Sequence, residues 1–279
     1  MPATAGDGAG EEPAEVATPA NQATTVGGDH PIQLAPGTES GERTFANYWQ
    51  NRGRMTYFLT RHVGYRLGAI LAVPLGRLGF SSNQVTLLAL FVSILGTAAT
   101  LSFVTGQVVQ AICIFAVLIL GYALDCADGM IARAHGQSSL FGAIFDKVSD
   151  LLAITICMAL LAGAAFDDSP WSGIVTVSLF GTGMACRLAL VLAVWLKEFV
   201  GSPPNRGVPD SRERTLDWHL RRAIGEATDH VFFIVLLAAS WATGYFWEFF
   251  VIYHAALGIV MSGYLFRLHR EIGRTTLGS

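Results

Sequence analysis

Six predominantly apolar stretches of about twenty residues or more follow one another along this chain, and they constrain its fold more than any other feature. A bilayer core about 30 Å thick takes roughly 20 helical residues to cross. Inside it every backbone N–H and C=O must find its partner within the chain, which leaves helices or closed barrels. Runs of this length, without strand-like alternation, specify helices. The predicted spans are Gln84–Phe103, Val108–Ala134, Ser138–Ala165, Trp171–Phe199, Trp218–Ala242 and Phe246–Arg267. Only 14% of the residues are charged, against about 25% in soluble domains. The expected fold is an all-α membrane protein of six transmembrane helices preceded by an amphipathic interfacial helix.

The ends differ in character. Residues 1–43 are predicted to be a disordered acidic tail: the first forty contain six acids and no Lys or Arg. Such a segment buries too little apolar surface to offset its ordering entropy, and it has neither the basic nor the apolar region of a signal peptide. Residues 44–279 form the predicted membrane domain. Its lead-in, 44–78, mixes Arg52, Arg54, Arg61 and Arg66 with Tyr48, Trp49, Tyr57, Phe58 and Leu59, a composition suited to a helix lying in the interface; Pro74 is expected to end or bend it. The six spans occupy 84–267. Beyond the tail the chain carries a small positive excess, which suits anionic lipid and is too small to indicate nucleic acid.

Orientation follows from the basic residues. The 103–108, 165–171 and 242–247 loops have no Lys or Arg, whereas arginines flank the other span ends. Both termini are therefore expected in the cytoplasm. Trp171, Trp241, Tyr245 and Trp247 are expected as interfacial anchors at the opposite face. The four cysteines fall in apolar segments without a CxxC pair and are read as small buried side chains.

Within this apolar chain four aspartates stand out, in the pattern Asp125-x2-Asp128-Gly129-x2-Ala132-Arg133-x8-Gly142-x3-Asp146-x3-Asp150. Carboxylates in membrane helices are costly and mark function. Spacings of three and four put each pair on one helix face, and the short His135–Gln137 turn makes the two helices antiparallel neighbours with both faces at one depth. Four such acids need a cation. Oxygen ligands favour a hard divalent ion, Mg²⁺ by default with Mn²⁺ as the alternative, and there is room for two. Two metals can clamp the attacking and leaving oxygens at phosphorus, and Arg133 offers a fork for a phosphate. The competing reading is a set of buried ion pairs with Arg133, Lys147 and Arg187, which gives no reason for the paired spacings.

The string DCADGMIARAHGQSSLFGAIFDKVSD resembles, at all eight constrained positions, the motif of the CDP-alcohol phosphotransferase (phosphatidyltransferase) family of integral membrane phospholipid-synthesis enzymes. Ser82-Asn83-Gln84-Val85-Thr86 resembles the family's Pro-Asn-x-x-Thr, with Ser82 in place of proline. The resemblance implies a transferase that cleaves a CDP-linked lipid donor, releases CMP and joins the phosphoryl-bearing group to an alcohol. It implies that Asp125, Asp128 and Asp146 hold metal, with Asp150 near a second ion and acting as the base. It also implies that Gly129, Ala132, Arg133 and Gly142 shape the CDP pocket, with Asn83 and Thr86 close by, and that the protein is a homodimer. The expected reaction is Mg²⁺-dependent transfer of a phosphatidyl group from CDP-diacylglycerol to a polar alcohol such as inositol phosphate or glycerol phosphate. The alternatives are a CDP-choline or CDP-ethanolamine enzyme with a lipid alcohol acceptor, and a metal or proton transporter. The Ala/Gly/Arg-rich composition leans towards a bacterial cytoplasmic membrane.

Arg187, deep in the fourth span, is expected either to bind an acceptor phosphate together with Lys147 or to pair with a carboxylate. Glu226, Asp229 and His230 are read as a hydrated helix end, with an acceptor pocket as the alternative. His254 is read as a hydrogen-bonded core residue, and the 201–214 loop as a solvated connector.

Overall fold

The computed structural model describes residues 43–53, 57–201 and 229–277, and every regular element among them is helical. In chain order these are α1 (Phe45–Gln50), a π-helical turn (Thr60–Gly64), α2 (Tyr65–Arg77), α3 (Ser82–Phe103), α4 (Gln107–Ala134), α5 (Leu140–Ala164), α6 (Gly173–Gly201), α7 (His230–Thr243) and α8 (Phe246–Leu277). The acidic tail up to Glu42, the 201–214 connector beyond Gly201, and Glu226 lie outside the described residues.

Two sequence expectations need correction. Four described helices, not six, are long and apolar enough to cross a membrane: α3, α4, the Gly173–Leu192 part of α6 and the Phe246–Gly263 part of α8. In α5 the first turns carry Asp146, Lys147 and Asp150, so its apolar stretch is confined to the second half. The described part of α7 has 14 residues, about 21 Å at 1.5 Å per residue, short of a full bilayer core.

The lead-in, in turn, is no single amphipathic helix. It is divided into α1, the π-turn and α2, and α2 turns a face of small residues (Gly68, Ala69, Ala72 and Gly76) towards the protein. At Gly68 an added Cβ would stand 2.9 Å from Cys126 Cβ and 3.0 Å from the Ala123 carbonyl, so α2 lies against α4 at near-backbone distance. Pro74 is tolerated inside α2, which stops at Arg77, within a turn of it.

Helix α4 is the central strut, packed by α2, α3 and α7, while α6 pairs with α8. Between helices in lipid there is little hydrophobic drive, so association depends on close packing and on interhelical hydrogen bonds worth about 0.6 kcal/mol each. Helix α5 illustrates this. The Cys157 thiol donates to the Ser93 carbonyl at 3.3 Å, and the Thr97 hydroxyl donates to Cys157 Sγ at 3.6 Å. These contacts draw α5 along α3 rather than along its hairpin partner α4, leaving a gap between α4 and α5 that the short connecting turn did not foretell.

One core, at the end away from the acids, is built on Ile114, Met158, Leu161, Phe233, Ile234 and Phe250. The other surrounds the C-terminal half of α4 with Tyr48, Val85, Ala127, Met130 and Ile131. Trp241 and Trp247 belong to the first core rather than to an interfacial belt. Both are buried, and their indole N–H groups donate to Gln110 Oε1 (3.2 Å) and the Ala165 carbonyl (2.7 Å). Tyr245 is exposed, as an anchor should be. Cys126 and Cys157 are buried free thiols, while Cys113 and Cys186 are half-buried.

Candidate active site

The first turn of α3 supports the site from below. Ser81 caps the helix by accepting from the Gln84 amide, and the Gln84 side chain accepts from the Ser81 amide in return. That reciprocal cap fixes the start of α3 and sets Thr86 one turn in. Thr86 is 3% exposed, and its hydroxyl donates to Asp128 Oδ2 at 2.5 Å. A charge-assisted bond of this kind holds the carboxylate in one rotamer.

Asp128 is itself only 3% exposed. Carboxylate oxygens of Asp125 and Asp128 on α4 and of Asp146 on α5 come within 4.8 Å of one another. The two acid-bearing faces therefore meet at one depth, across the gap between the helices. Ser139 starts α5 by accepting from the Gly142 amide at 3.0 Å, which sets the register of Asp146 one turn later.

Asp150 stands apart from this triple. It lines one crevice with Asp125, and Lys147 Nζ bridges Asp146 at 3.0 Å and Asp150 at 3.3 Å. Ion pairing thus accounts for one cation and two of the four acids. Lys147 serves the acids here rather than standing beside Arg187 as an acceptor group.

Of the residues that the resemblance assigns to the CDP pocket, Arg133 lies against Gly129 and Asn83 against Gly142. Arg133 Nε donates to the Asn51 carbonyl at 2.6 Å, and its two terminal nitrogens lie 3.1 Å from where a Cβ on Gly129 would stand. The guanidinium is thus folded back over Gly129, and a side chain there would displace it. Asn83 Oδ1 is 3.8 Å from the position of a Cβ on Gly142, facing it from α3 to α5. Ala132 is half-buried on α4.

Arg187 is placed differently. Its guanidinium carbon sits 4.4 Å over the Phe233 ring and 6.0 Å from the Tyr253 ring centre. Among the described residues no carboxylate forms an ion pair with it, and its ring contacts there are cation–π packing. One terminal nitrogen, Nη1, is buried and has no hydrogen-bond partner among the described residues.

A crevice of about 40 Å³ opens between α3, α4, α5 and α7, lined by Thr86, Ser93, Tyr122, Asp125, Asp150 and His230 among others. It has room for a few waters or one small group. His230 stacks on Tyr122, centroids 4.9 Å apart and nearly parallel. Asp229, expected at a hydrated helix end, is instead 3% exposed. It caps α7 through the Val231 amide and accepts from both the amide and the hydroxyl of Thr60, tying the π-turn to α7. An Asp just before an apolar run is an N-cap signal, so this role was visible in the sequence; the Thr60 partner was not. His254 is the expected buried core residue, its Nδ1 2.8 Å from the Phe250 carbonyl.

The family model for CDP-alcohol phosphatidyltransferases matches residues 80–261, well over half of the chain. The chain belongs to that family. It is 29% identical over 103 residues to a CDP-diacylglycerol–serine O-phosphatidyltransferase of Methanocaldococcus jannaschii, covering 37% of this chain and 50% of that protein. It is 30% identical over 129 residues to an archaetidylinositol phosphate synthase of Pyrococcus horikoshii, covering 45% and 62% respectively. The chain thus spans between half and two thirds of these relatives' lengths. CDP-alcohol phosphatidyltransferases are transferases of substituted phosphate groups in phospholipid synthesis, acting on a CDP-linked donor and an alcohol with the help of divalent metal. The apolar helices agree with an integral membrane member.

The donor set fits such an ion. Asp125, Asp128 and Asp146 present only charged oxygens, the ligands hard divalent cations take. Oxygens sharing one ion at about 2.1 Å lie no more than about 4.2 Å apart, so small side-chain rotations would close the 4.8 Å triple around it.

Proposed function

We propose that this protein is a Mg²⁺-dependent transferase that moves a phosphatidyl group from CDP-diacylglycerol to a polar alcohol carrying a phosphate, with release of CMP. The observation that carries this reading is the convergence of Asp125, Asp128 and Asp146 beside a guanidinium held over Gly129. Asp125, Asp128 and Asp146 would hold one ion, and Asp150 with Asp125 would serve a second. Bound there, the ions would neutralise charge developing on the pyrophosphate.

In the reaction the acceptor hydroxyl oxygen forms a bond to the phosphorus that bears diacylglycerol. The bond from that phosphorus to the bridging oxygen breaks, and CMP leaves with the electron pair. The acceptor's proton passes to the Asp150 carboxylate. An alcohol is a weak nucleophile until that proton moves, so a positioned base is required, and Asp150 lines the crevice where a hydroxyl fits. Arg133 binds the donor phosphates through its free terminal nitrogens, Thr86 holds Asp128, and Gly129, Ala132 and Gly142 leave room for the nucleotide, with Asn83 at the pocket edge.

The acceptor class follows from Arg187. Its Nη1 is buried and has no partner among the described residues, and an unpaired buried donor is costly. A phosphate on the acceptor would satisfy it, and the name of the Pyrococcus horikoshii relative points the same way. Orientation of the site towards the cytoplasm follows the arginine distribution. Incubating purified protein in liposomes with CDP-diacylglycerol and either inositol phosphate, glycerol phosphate, free inositol or serine, then weighing the lipid product, tests this. Products are expected from phosphorylated acceptors only; a serine or free-inositol product of equal yield would refute the acceptor class.

A further inference from the structure

Residues ahead of the matched family region reach the site. Helix α1 docks under the C-terminal end of α4 through Tyr48, which is fully buried. Its hydroxyl is 3.3 Å from Nε2 of His135, the residue that caps α4. On its other side it fills the space a side chain at Gly76 would need, since a Cβ there would fall 2.0 Å from the Tyr48 hydroxyl. Tyr48 is thus wedged between α2 and the end of α4.

One turn further on, Asn51 closes α1. Its side-chain amide donates to the carbonyl and to Oδ1 of Asn47, both at 2.9 Å, which fastens Asn51 to the end of the helix. The Asn51 carbonyl takes the Arg133 Nε hydrogen at 2.6 Å.

The chemistry of the guanidinium gives this contact its meaning. Arg has five N–H donors in a fixed plane, one on Nε and four on the terminal nitrogens. With Nε committed to Asn51, the plane is set. Both terminal nitrogens lie over Gly129 and form no hydrogen bond among the described residues. A two-pronged edge held this way matches two oxygens of one phosphate or of neighbouring phosphates. Without the Asn51 contact the side chain would lose rotamer freedom at the moment of binding, at a cost to affinity.

We propose that α1, residues 45–50 with its cap Asn51, is a positioning element for Arg133, so that Tyr48 and Asn51 tune affinity for the CDP-linked donor without touching it. This rests on the reading of Arg133 as a donor-phosphate ligand. It extends the functional unit upstream of residue 80, where the family match begins.

Steady-state kinetics of the full-length protein in liposomes, with donor and acceptor varied separately, tests the proposal. The variants are Tyr48→Phe, which removes one hydroxyl, and Asn51→Ala, which removes the side-chain bonds that fasten residue 51 to α1, each made alone and in an Arg133→Ala background. Each single variant should raise KM for CDP-diacylglycerol about 2- to 10-fold, the effect of losing one hydrogen bond, with acceptor KM and kcat unchanged. In the Arg133→Ala background the same substitutions should change nothing further.

Equal increases with and without Arg133, or matching rises in both KM values, would show a general structural role and overturn the proposal. Normal donor KM in both single variants, beside a raised one in Arg133→Ala, would overturn the positioning role while leaving the donor role of Arg133 intact. An unchanged donor KM in Arg133→Ala would remove that donor role and the proposal with it. Tyr48→Phe keeps the buried ring, so the test stands even if Asn51→Ala folds poorly.

Discussion

The two ends of the helix bundle make an instructive pair. At the signature end the crevice measures about 40 Å³ and is walled by Thr86, Asp125, Asp150 and His230. At the opposite end a cavity of about 370 Å³ lies among Gln107, Gln110, Asp168, Trp241 and Trp247. The larger space has the poorer chemistry. Its indole N–H groups and the Gln110 amide are already satisfied by protein partners, and Asp168 is its one carboxylate. The smaller space gathers carboxylates that cost stability unless something compensates them. Converging charge marks the proposed working end, and volume does not.

Substitutions can break or sharpen this contrast. The largest effect is expected from Asp128→Ala, which removes a proposed ligand of the first ion: CMP release should fall to background, while a retained thermal unfolding midpoint would show that the fold survives. Asp150→Asn should cost about 10²- to 10⁴-fold in kcat, the span of a general base, with donor KM nearly unchanged. Thr86→Val keeps shape but frees Asp128; activity should fall about 10- to 100-fold, as for groups that orient a metal ligand, and added Mg²⁺ should partly restore it. Gln110→Ala, at the far cavity, should leave turnover unchanged. It should lower stability by about 1 kcal/mol, because the Trp241 indole N–H is left unpaired. A large loss of turnover in Gln110→Ala would dissolve the contrast between the two ends.

Much of the site was legible from residue spacing. Asp125 and Asp128, three apart, and Asp146, across a short turn, had to share a depth, and they do. Thr86, which the family resemblance rather than spacing placed nearby, donates to Asp128. What spacing could not show was tertiary partnership. Asn51 on Arg133 and Thr60 on Asp229 join residues 82 and 169 positions apart, and no local pattern encodes such contacts.

The fold was legible in kind and overstated in number. Hydropathy located the helices, but it credited α5 with polar turns that belong to the site. It also assigned Trp241 and Trp247 to the interface, although their N–H groups had found partners inside.

The most direct test of the account is CMP release from CDP-diacylglycerol by the purified protein in liposomes, with a phosphorylated polyol as acceptor and Mg²⁺ titrated from zero. The account predicts release that requires both Mg²⁺ and acceptor, and that disappears in Asp128→Ala. Metal-independent release, or undiminished release by that variant, would contradict it.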